Sequence, residues 1–446
     1  MKRGLLLLLA MALVVGYAFA DSQVDYSISG SATATIGYDL DGKTFGIKNE
    51  TSADLTITFV EGSEEKGGEG TVYGWISLSG FSAKAGNNIV EEDVVFYDAD
   101  DNDVTDSVKN NLGVDSIKAK SDFVITPPSI TAKLMMGPAY LLITTKGADI
   151  DKASLDPDFI KEEAFGGNDV AASSFEDNDY NNLTLGVDTD VVDASVTLGT
   201  EDDWNGDSEN AGLVAGEVSV SVAGATLGVN VSGLFGNNGG SIGEDADNPL
   251  AVGVNASYAA SVGEGLSITP SVAYDLVKKG DALAHDILGG LSVGYNGLST
   301  SVNVLYVIPA ENQYKLLVKG SVSDGGMIPV VDVSLNGEYG MMDTDTEASA
   351  FALKADLSAG LGVAKPFVGV IYEQTLTEGV SGDDQSDFMM QVGTDITAVQ
   401  NTTFTLKYAS GDLTHEESAA DYTADVFAND SGARLGEITF AIKISY

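Results

Sequence analysis

Gly436-Glu437-Ile438-Thr439-Phe440-Ala441-Ile442-Lys443-Ile444-Ser445-Tyr446 closes the sequence on an aromatic residue. Ile438, Phe440, Ile442, Ile444 and Tyr446 alternate with Glu437, Thr439, Ala441, Lys443 and Ser445. Successive side chains of a strand point to opposite faces, so this segment is one strand with an apolar face and a mostly polar one. A secreted β protein that stays in solution could turn that apolar face onto its own core. A strand with a terminal aromatic also fits the closing strand of a membrane barrel, with its apolar face on lipid and the aromatic at the interface. Such a strand is the segment expected to be read by the barrel-assembly machinery.

The start of the chain bears on that choice. Lys2 and Arg3 precede an apolar run from Leu5 to Val15, and Ala18-Phe19-Ala20 offers a small-x-small cleavage site. Residues 1–20 therefore read as a signal peptide cleaved near Ala20. The run is shorter than the roughly 20 apolar residues a spanning helix needs. No later segment holds 18 uninterrupted apolar residues, and only helices and closed barrels satisfy the backbone in lipid. There is no cysteine, which excludes a disulfide-stapled module.

The charge is strongly acidic, with 67 Asp and Glu against 22 Lys and Arg, a formal net of −45. Without Lys2 and Arg3 the balance is 20 − 67 = −47, and Arg434 is the one arginine left. Such a surface repels nucleic acid, so no nucleic-acid partner is expected. The chain is still not of the disordered class, because 43% of its residues are apolar and they alternate.

From Asn181 onward one unit recurs, an alternating strand followed by a turn or polar loop. Glu217–Ala223 returns as Thr226–Val231 across Gly224, and Leu291–Tyr295 meets Ser299–Tyr306 across Asn296-Gly297, a strong hairpin signal. Further strands are read at Tyr314–Val322, Val330–Tyr339, Phe351–Leu361, Phe367–Gln374, Phe388–Ile396 and Thr403–Ala409. Before Asn181, strands are expected at Tyr26–Asp39, Ser52–Val60, Gly70–Phe81, Ile117–Ile125 and Ile130–Thr145, the last divided or kinked at Pro138. Polar segments 87–111 and 147–182 interrupt this half.

Short turns alternate with long acidic loops such as Asn237–Asn248, Glu378–Asp387 and Gly411–Arg434, the asymmetry of outer-membrane barrels. Tyrosines recur near strand ends, at Tyr258, Tyr274, Tyr295, Tyr306, Tyr339, Tyr372, Tyr408 and Tyr446, where interface girdles are expected. The fold class is thus all-β: a transmembrane antiparallel barrel of about 20 strands, in a range of roughly 16–20, with long acidic external loops. Residues 181–446 read as barrel. Residues 21–180 read as part of it by their shared period, with a periplasmic domain as the alternative.

Gly37–Asp41, Phe45–Glu50 and Asp54–Ile57 resemble the opening of the treponemal major outer sheath protein (Msp/Tpr) family. Glu69–Ile76, Ile130–Leu134 and Ala139–Leu141 are similar to the same N-terminal region, so the matching strings lie in about 30–145. The resemblance implies an abundant outer-membrane protein that forms pores, often as a homotrimer, and binds host matrix proteins. It also leaves open a bipartite protein or one large barrel. The loops here are short and unusually acidic for that family, which weighs against a carried-over adhesin activity.

Asp98, Asp100, Asn102 and Asp106 place oxygens at spacings that suit calcium. An EF-hand loop would have glycine at its sixth position and glutamate at its twelfth, where this chain has Asp103 and Lys109, so a solvated acidic loop is preferred. His285 and His415 are the only histidines, and neither has a second ligand at metal spacing. His285 beside Asp286 would need a serine nucleophile to make an enzyme, and no nucleophile motif accompanies it. Glycine pairs such as Gly289-Gly290 lack the strand-to-helix setting of phosphate loops, so no cofactor is called for. Lys319, Lys354, Asp356, Lys407 and Lys443 stand opposite the apolar register and are candidates to line a lumen.

The composition and pattern favour an integral outer-membrane porin for passive diffusion of small hydrophilic solutes, cation-preferring. An adhesin acting through external loops and a soluble secreted β protein are the alternatives.

Overall fold

The computed structural model describes residues 25–446 apart from 41–42, 44, 61–71, 94–117, 127–128, 146–152, 156–157, 159, 161–179, 202–211, 236–240, 244–247, 264, 311–312, 327, 344–346, 378–384 and 414–434. Residues 1–20, expected from the sequence to be a signal peptide, the Asp98–Asp106 string and His415 lie outside the described residues. All pairings are antiparallel and, with two exceptions, join strands adjacent in sequence; the last, Glu437–Ser445, pairs with the first, Asp25–Asp39. The sheet has no free edge. Lys118–Thr126 and Ser129–Met136 pair with successive stretches of Val72–Asp93, and Leu250–Tyr258 and Ala260-Ser261 both pair with Leu266–Lys279. Each of those two sets fills one place in the wall, so 22 segments make a closed barrel of 20 strands.

The strands before Thr145 belong to the same wall as those after it. Pro138 does divide its segment, as a turn between Ser129–Met136 and Ala139–Thr144, while Val72–Asp93 runs further into the polar stretch than its composition suggests. Tight turns gather at one end. Ala223-Gly224 and Asn296-Gly297 have positive φ at both central residues, as a two-residue hairpin of the right twist requires. Most of the long connections lie at the other end; among the exceptions are 61–71 and 325–330 at the turn end and Gly280-Asp281 and 344–346 at the loop end.

Opposed residues on neighbouring strands share a face, so register carries the parity of the last strand around the wall. On that strand Ile438 and Phe440 are 44% and 42% exposed, whereas Glu437 and Thr439 are 3% and 4% exposed. The apolar set continues outward through Ile36, Leu185, Val196, Val218, Val229 and Val254. A soluble protein buries such a set; here it forms the exterior. With the backbone closed on itself and an apolar exterior, the barrel is built to span a bilayer.

The eight tyrosines named above all have outward parity. Tyr258, Tyr295 and Tyr446 stand at the turn end, and Tyr274, Tyr306, Tyr339, Tyr372 and Tyr408 towards the loop end. Tyr295 lies eight residues below Ile287, the partner of Tyr274. At about 3.4 Å per residue and a tilt of about 40°, the girdles stand about 20 Å apart, close to the height of a barrel's apolar band.

Closure has a specific lock. Tyr446 and Gly30 exchange backbone hydrogen bonds of 3.0 and 3.1 Å, and the Tyr446 hydroxyl donates to the Ser52 carbonyl at 3.4 Å. The ring lies over Gly30, where a Cβ would stand 2.7 Å from its hydroxyl oxygen. Gly30→Val is therefore expected to press on the Ser52 carbonyl oxygen as well as displace the ring, and so to weaken closure, reducing the heat-modifiable folded band on a gel after detergent refolding. A folded fraction equal to wild type would show that the lock contributes nothing.

Candidate functional site: the lumen wall and an inward strap

Residues opposite the apolar register face the interior. Lys354 stands between Asn336 and Ile371, and Asp356 between Ser334 and Gly369. Lys407 stands between Gly393 and Thr439, and Lys443 between Thr33 and Thr403. Lys319 is opposed to Asn303 and Glu338. All five therefore have inward parity. They do not converge on one point: Lys319 alone joins a compact cluster, and the others are spread along the wall.

That cluster includes part of the polar segment 147–182. Its described residues Ala153–Leu155, Asp158 and Ile160 lie against the inner wall. The Ala153 amide donates to Asp275 Oδ2 at 2.7 Å. The Asp158 amide donates to both carboxylate oxygens of Glu338 at 3.0 Å, and Lys319 Nζ lies 2.6 Å from Asp158 Oδ2 and 3.3 Å from Glu338 Oε1. Ile160 packs with Leu305, Val307, Leu317, Ala350 and Ala352, and Leu155 packs against the same cluster. A polar lumen would leave that apolar patch wet, so covering it stabilises the strap. Glu338, almost fully buried, is acceptable there because an ammonium and an amide both face it.

The sequence does carry a signal for this contact. Strict alternation fails in Val304–Ile308, Leu316–Val318 and Ala350–Ala352, where both parities are apolar. Such runs mark strands covered on both faces. The reading by alternation passes over them because each run still contains the expected outward residues.

Inward carboxylates gather near the loop end. Asp39 opposes Glu437, Asp275 opposes Asp286 and Glu373 opposes Asp387, and all six are buried. Like charges directly opposed repel, so these pairs carry an electrostatic cost that the strand ladder must offset. Towards the turn end the wall is more open. Lys365 Nζ lies 3.1 Å from Asp332 Oδ2, to which the Ser358 hydroxyl also donates at 3.2 Å. Lys133 Nζ sits 4.6 Å from the centroid of the Tyr140 ring, and in the loop-end half of Phe45–Val60 Lys48 and Glu50 lie 3.9 Å apart. The sequence reading missed these groups, although their parity follows from the same alternation.

The interior is also polarised around its circumference. No Lys, Arg or His occurs between Glu162 and Val277, so the strands of that arc supply carboxylates alone, among them Asp188, Asp193, Glu217 and Asp275. The lysines stand on the remaining wall. His285 is not part of the interior: it faces outward, and its Nδ1 lies 2.8 Å from the Tyr274 hydroxyl. A hydrolytic role beside an inward serine has no geometric basis there.

No family model matches this sequence, and no curated protein matches it. Solved structures similar to it are outer-membrane proteins. Pseudomonas aeruginosa OccK1 (OpdK) aligns over 95% of this chain and 99% of its own at 10% identity and a TM-score of 0.48. Acinetobacter baumannii OccAB4 aligns over 96% and 99% at 10% identity and 0.48. A BenF-like porin from Pseudomonas fluorescens Pf-5 aligns over 95% and 98% at 7% identity and 0.47. At these values the likeness adds nothing to what the register establishes.

Lys319→Met removes one charge of a largely buried pair, a change worth about 3–5 kcal/mol when the partner stays behind. Ile160→Asp introduces a carboxylate among Leu305, Val307 and Leu317. Both are expected to unseat the strap while the strand ladder stays intact. Single-channel conductance should then rise above wild type with the heat-modifiable band unchanged. Equal conductance in both variants would mean that the strap does not narrow the lumen.

Proposed function

We propose that the chain is an outer-membrane porin through which small hydrophilic solutes diffuse, and that it prefers cations. One observation carries this reading: a closed 20-strand wall with an apolar exterior and an interior of Ser, Thr, Asn, Lys and carboxylate groups. Barrels of 16–18 strands leave an aqueous channel, and at 22 strands the lumen is plugged. A 20-strand barrel with a strap laid on its wall suits a narrowed but open passage.

Cation preference is supported by the carboxylates near the loop end and by the arc without basic residues. A solute entering between low-dielectric walls meets a focused negative potential first. The lysines on the remaining wall oppose that arc, so cations are expected to follow the Asp188, Asp193 and Glu217 side. Kinship with the treponemal major outer sheath proteins belongs to the same proposal and rests on the strings within residues 30–145.

In a planar bilayer under a salt gradient, the reversal potential should have the sign of cation selectivity. Replacing Asp188 and Asp193 by Asn and Glu217 by Gln should move the permeability ratio towards unity without closing the channel. An anion-selective wild type, or a folded protein without conductance, contradicts the proposal.

A further inference from the structure

We propose that a recess in the inner wall, centred on Phe367, is a binding site for a neutral pyranose sugar. The site rests on the channel reading above and adds to it the class of solute.

Parity sets Phe367 apart. Ser358 and Gly393 oppose it on the two neighbouring strands, and Ser358 in turn opposes Asp332, so the ring faces the interior. On the same and adjoining strands Phe351, Tyr372, Phe388 and Phe404 all have outward parity. The ring leans over Gly393, where a Cβ would stand 2.5 Å from its Cζ. Covering a glycine packs one part of the ring, yet Phe367 stays half-buried and lines the recess.

The recess measures about 570 Å³, within the range of small-molecule pockets. Phe367 lies three residues from the turn-end start of its strand at Ala364, so the recess sits between the strap and the turn end. Polar groups surround the ring. Asp356 and Gln391 oppose Gly369, the next inward residue after Phe367, from either side. Lys365, the inward residue before it, opposes Asp395 and pairs with Asp332 at 3.1 Å. Asp395 also accepts from the Thr405 hydroxyl at 2.6 Å. These bonds hold donors and acceptors in place around an apolar centre.

That pattern matches a sugar ring. One face of a pyranose presents C–H groups of partial positive charge, which suit the negative π face of an aromatic ring. Its rim presents hydroxyls, each a donor and an acceptor, which suit carboxylates, an amide and an ammonium together. The charges favour a neutral occupant over an ion. Lys354 precedes Asp356 by two residues on the inward face and Lys407 opposes Gly393, so with Lys365 three ammonium groups stand among Asp332, Asp356 and Asp395. Asp324, at the rim, is taken up by its own turn, where it accepts from the Gly326 and Ile328 amides at 3.1 and 2.9 Å. The Asp188, Asp193 and Glu217 arc belongs to other strands.

Two measurements on the full-length mature protein test the site. Folded in a detergent without a sugar headgroup, it is titrated calorimetrically with maltose, with acyclic sorbitol and with choline. In planar bilayers the same solutes are added while the channel current is recorded. Maltose should bind saturably and reduce the current with the same midpoint, and sorbitol should do neither. Phe367→Leu keeps an apolar side chain beside Gly393 and should weaken maltose binding about tenfold, by loss of the aromatic face. Gln391→Ala should weaken it about fivefold, by loss of a hydrogen bond, and serves where Phe367→Leu folds poorly. A conducting wild type that does not bind maltose, or binds sorbitol or choline as tightly, overturns the site and leaves the channel standing. So do variants that bind maltose as wild type does. Saturable maltose binding to a folded protein without conductance would uphold the site and overturn the channel reading instead.

Discussion

Backbone closure governs this molecule. In hydrocarbon each unpaired amide or carbonyl costs several kcal/mol, so a sheet that spans lipid must have no edge. The requirement is met where Glu437–Ser445 pairs with Asp25–Asp39 along nine positions, from Ser31–Ser445 to Asp39–Glu437. Tyr446 extends that seam by one more backbone pair and covers Gly30 on the outer surface. With the wall closed, parity alone separates lipid from lumen, and each side chain's environment follows from whether its number is odd or even in its strand.

That separation explains why so much of the architecture is legible in the sequence. The period of two in Ile438–Tyr446, Glu217–Ala223 and Ser299–Tyr306 survives because one face meets lipid and the other water. The Asn296-Gly297 turn is legible because type I′ geometry demands positive φ at both positions. Pro138 marks a boundary for a related reason, since it cannot donate to a ladder. Strand limits are less legible. Phe45–Val60 begins earlier than the Ser52–Val60 pattern, since Lys48, Glu50 and Asn49 dilute the apolar signal without interrupting the ladder.

The strap is the part that alternation hides. Ala153, Asp158 and Ile160 sit in a segment whose composition is that of an exposed loop, and nothing local indicates that it turns inward. Its docking ground is written elsewhere, in strands whose inward positions are Leu305, Val307, Leu317 and Ala352 instead of serine or threonine. A long-range contact between a polar loop and a two-sided apolar strand becomes visible only when the wall is closed. The same holds for the opposed carboxylates: Asp275 and Asp286 are eleven residues apart in the chain and face each other because Gly280-Asp281 makes a tight hairpin. The interior charges thus belong to the topology.

The central claim is that even positions of the last strand meet lipid and odd positions meet water inside a closed wall. The chain has no cysteine, so single cysteines can report on this without background. Cysteines placed one at a time from Thr439 to Ile444 in the reconstituted protein are exposed to a small water-soluble thiol reagent. The account predicts fast labelling at 441 and 443, slower labelling at 439, which faces inward but is buried, and protection at 440, 442 and 444. Uniform labelling, or the opposite alternation, would contradict it.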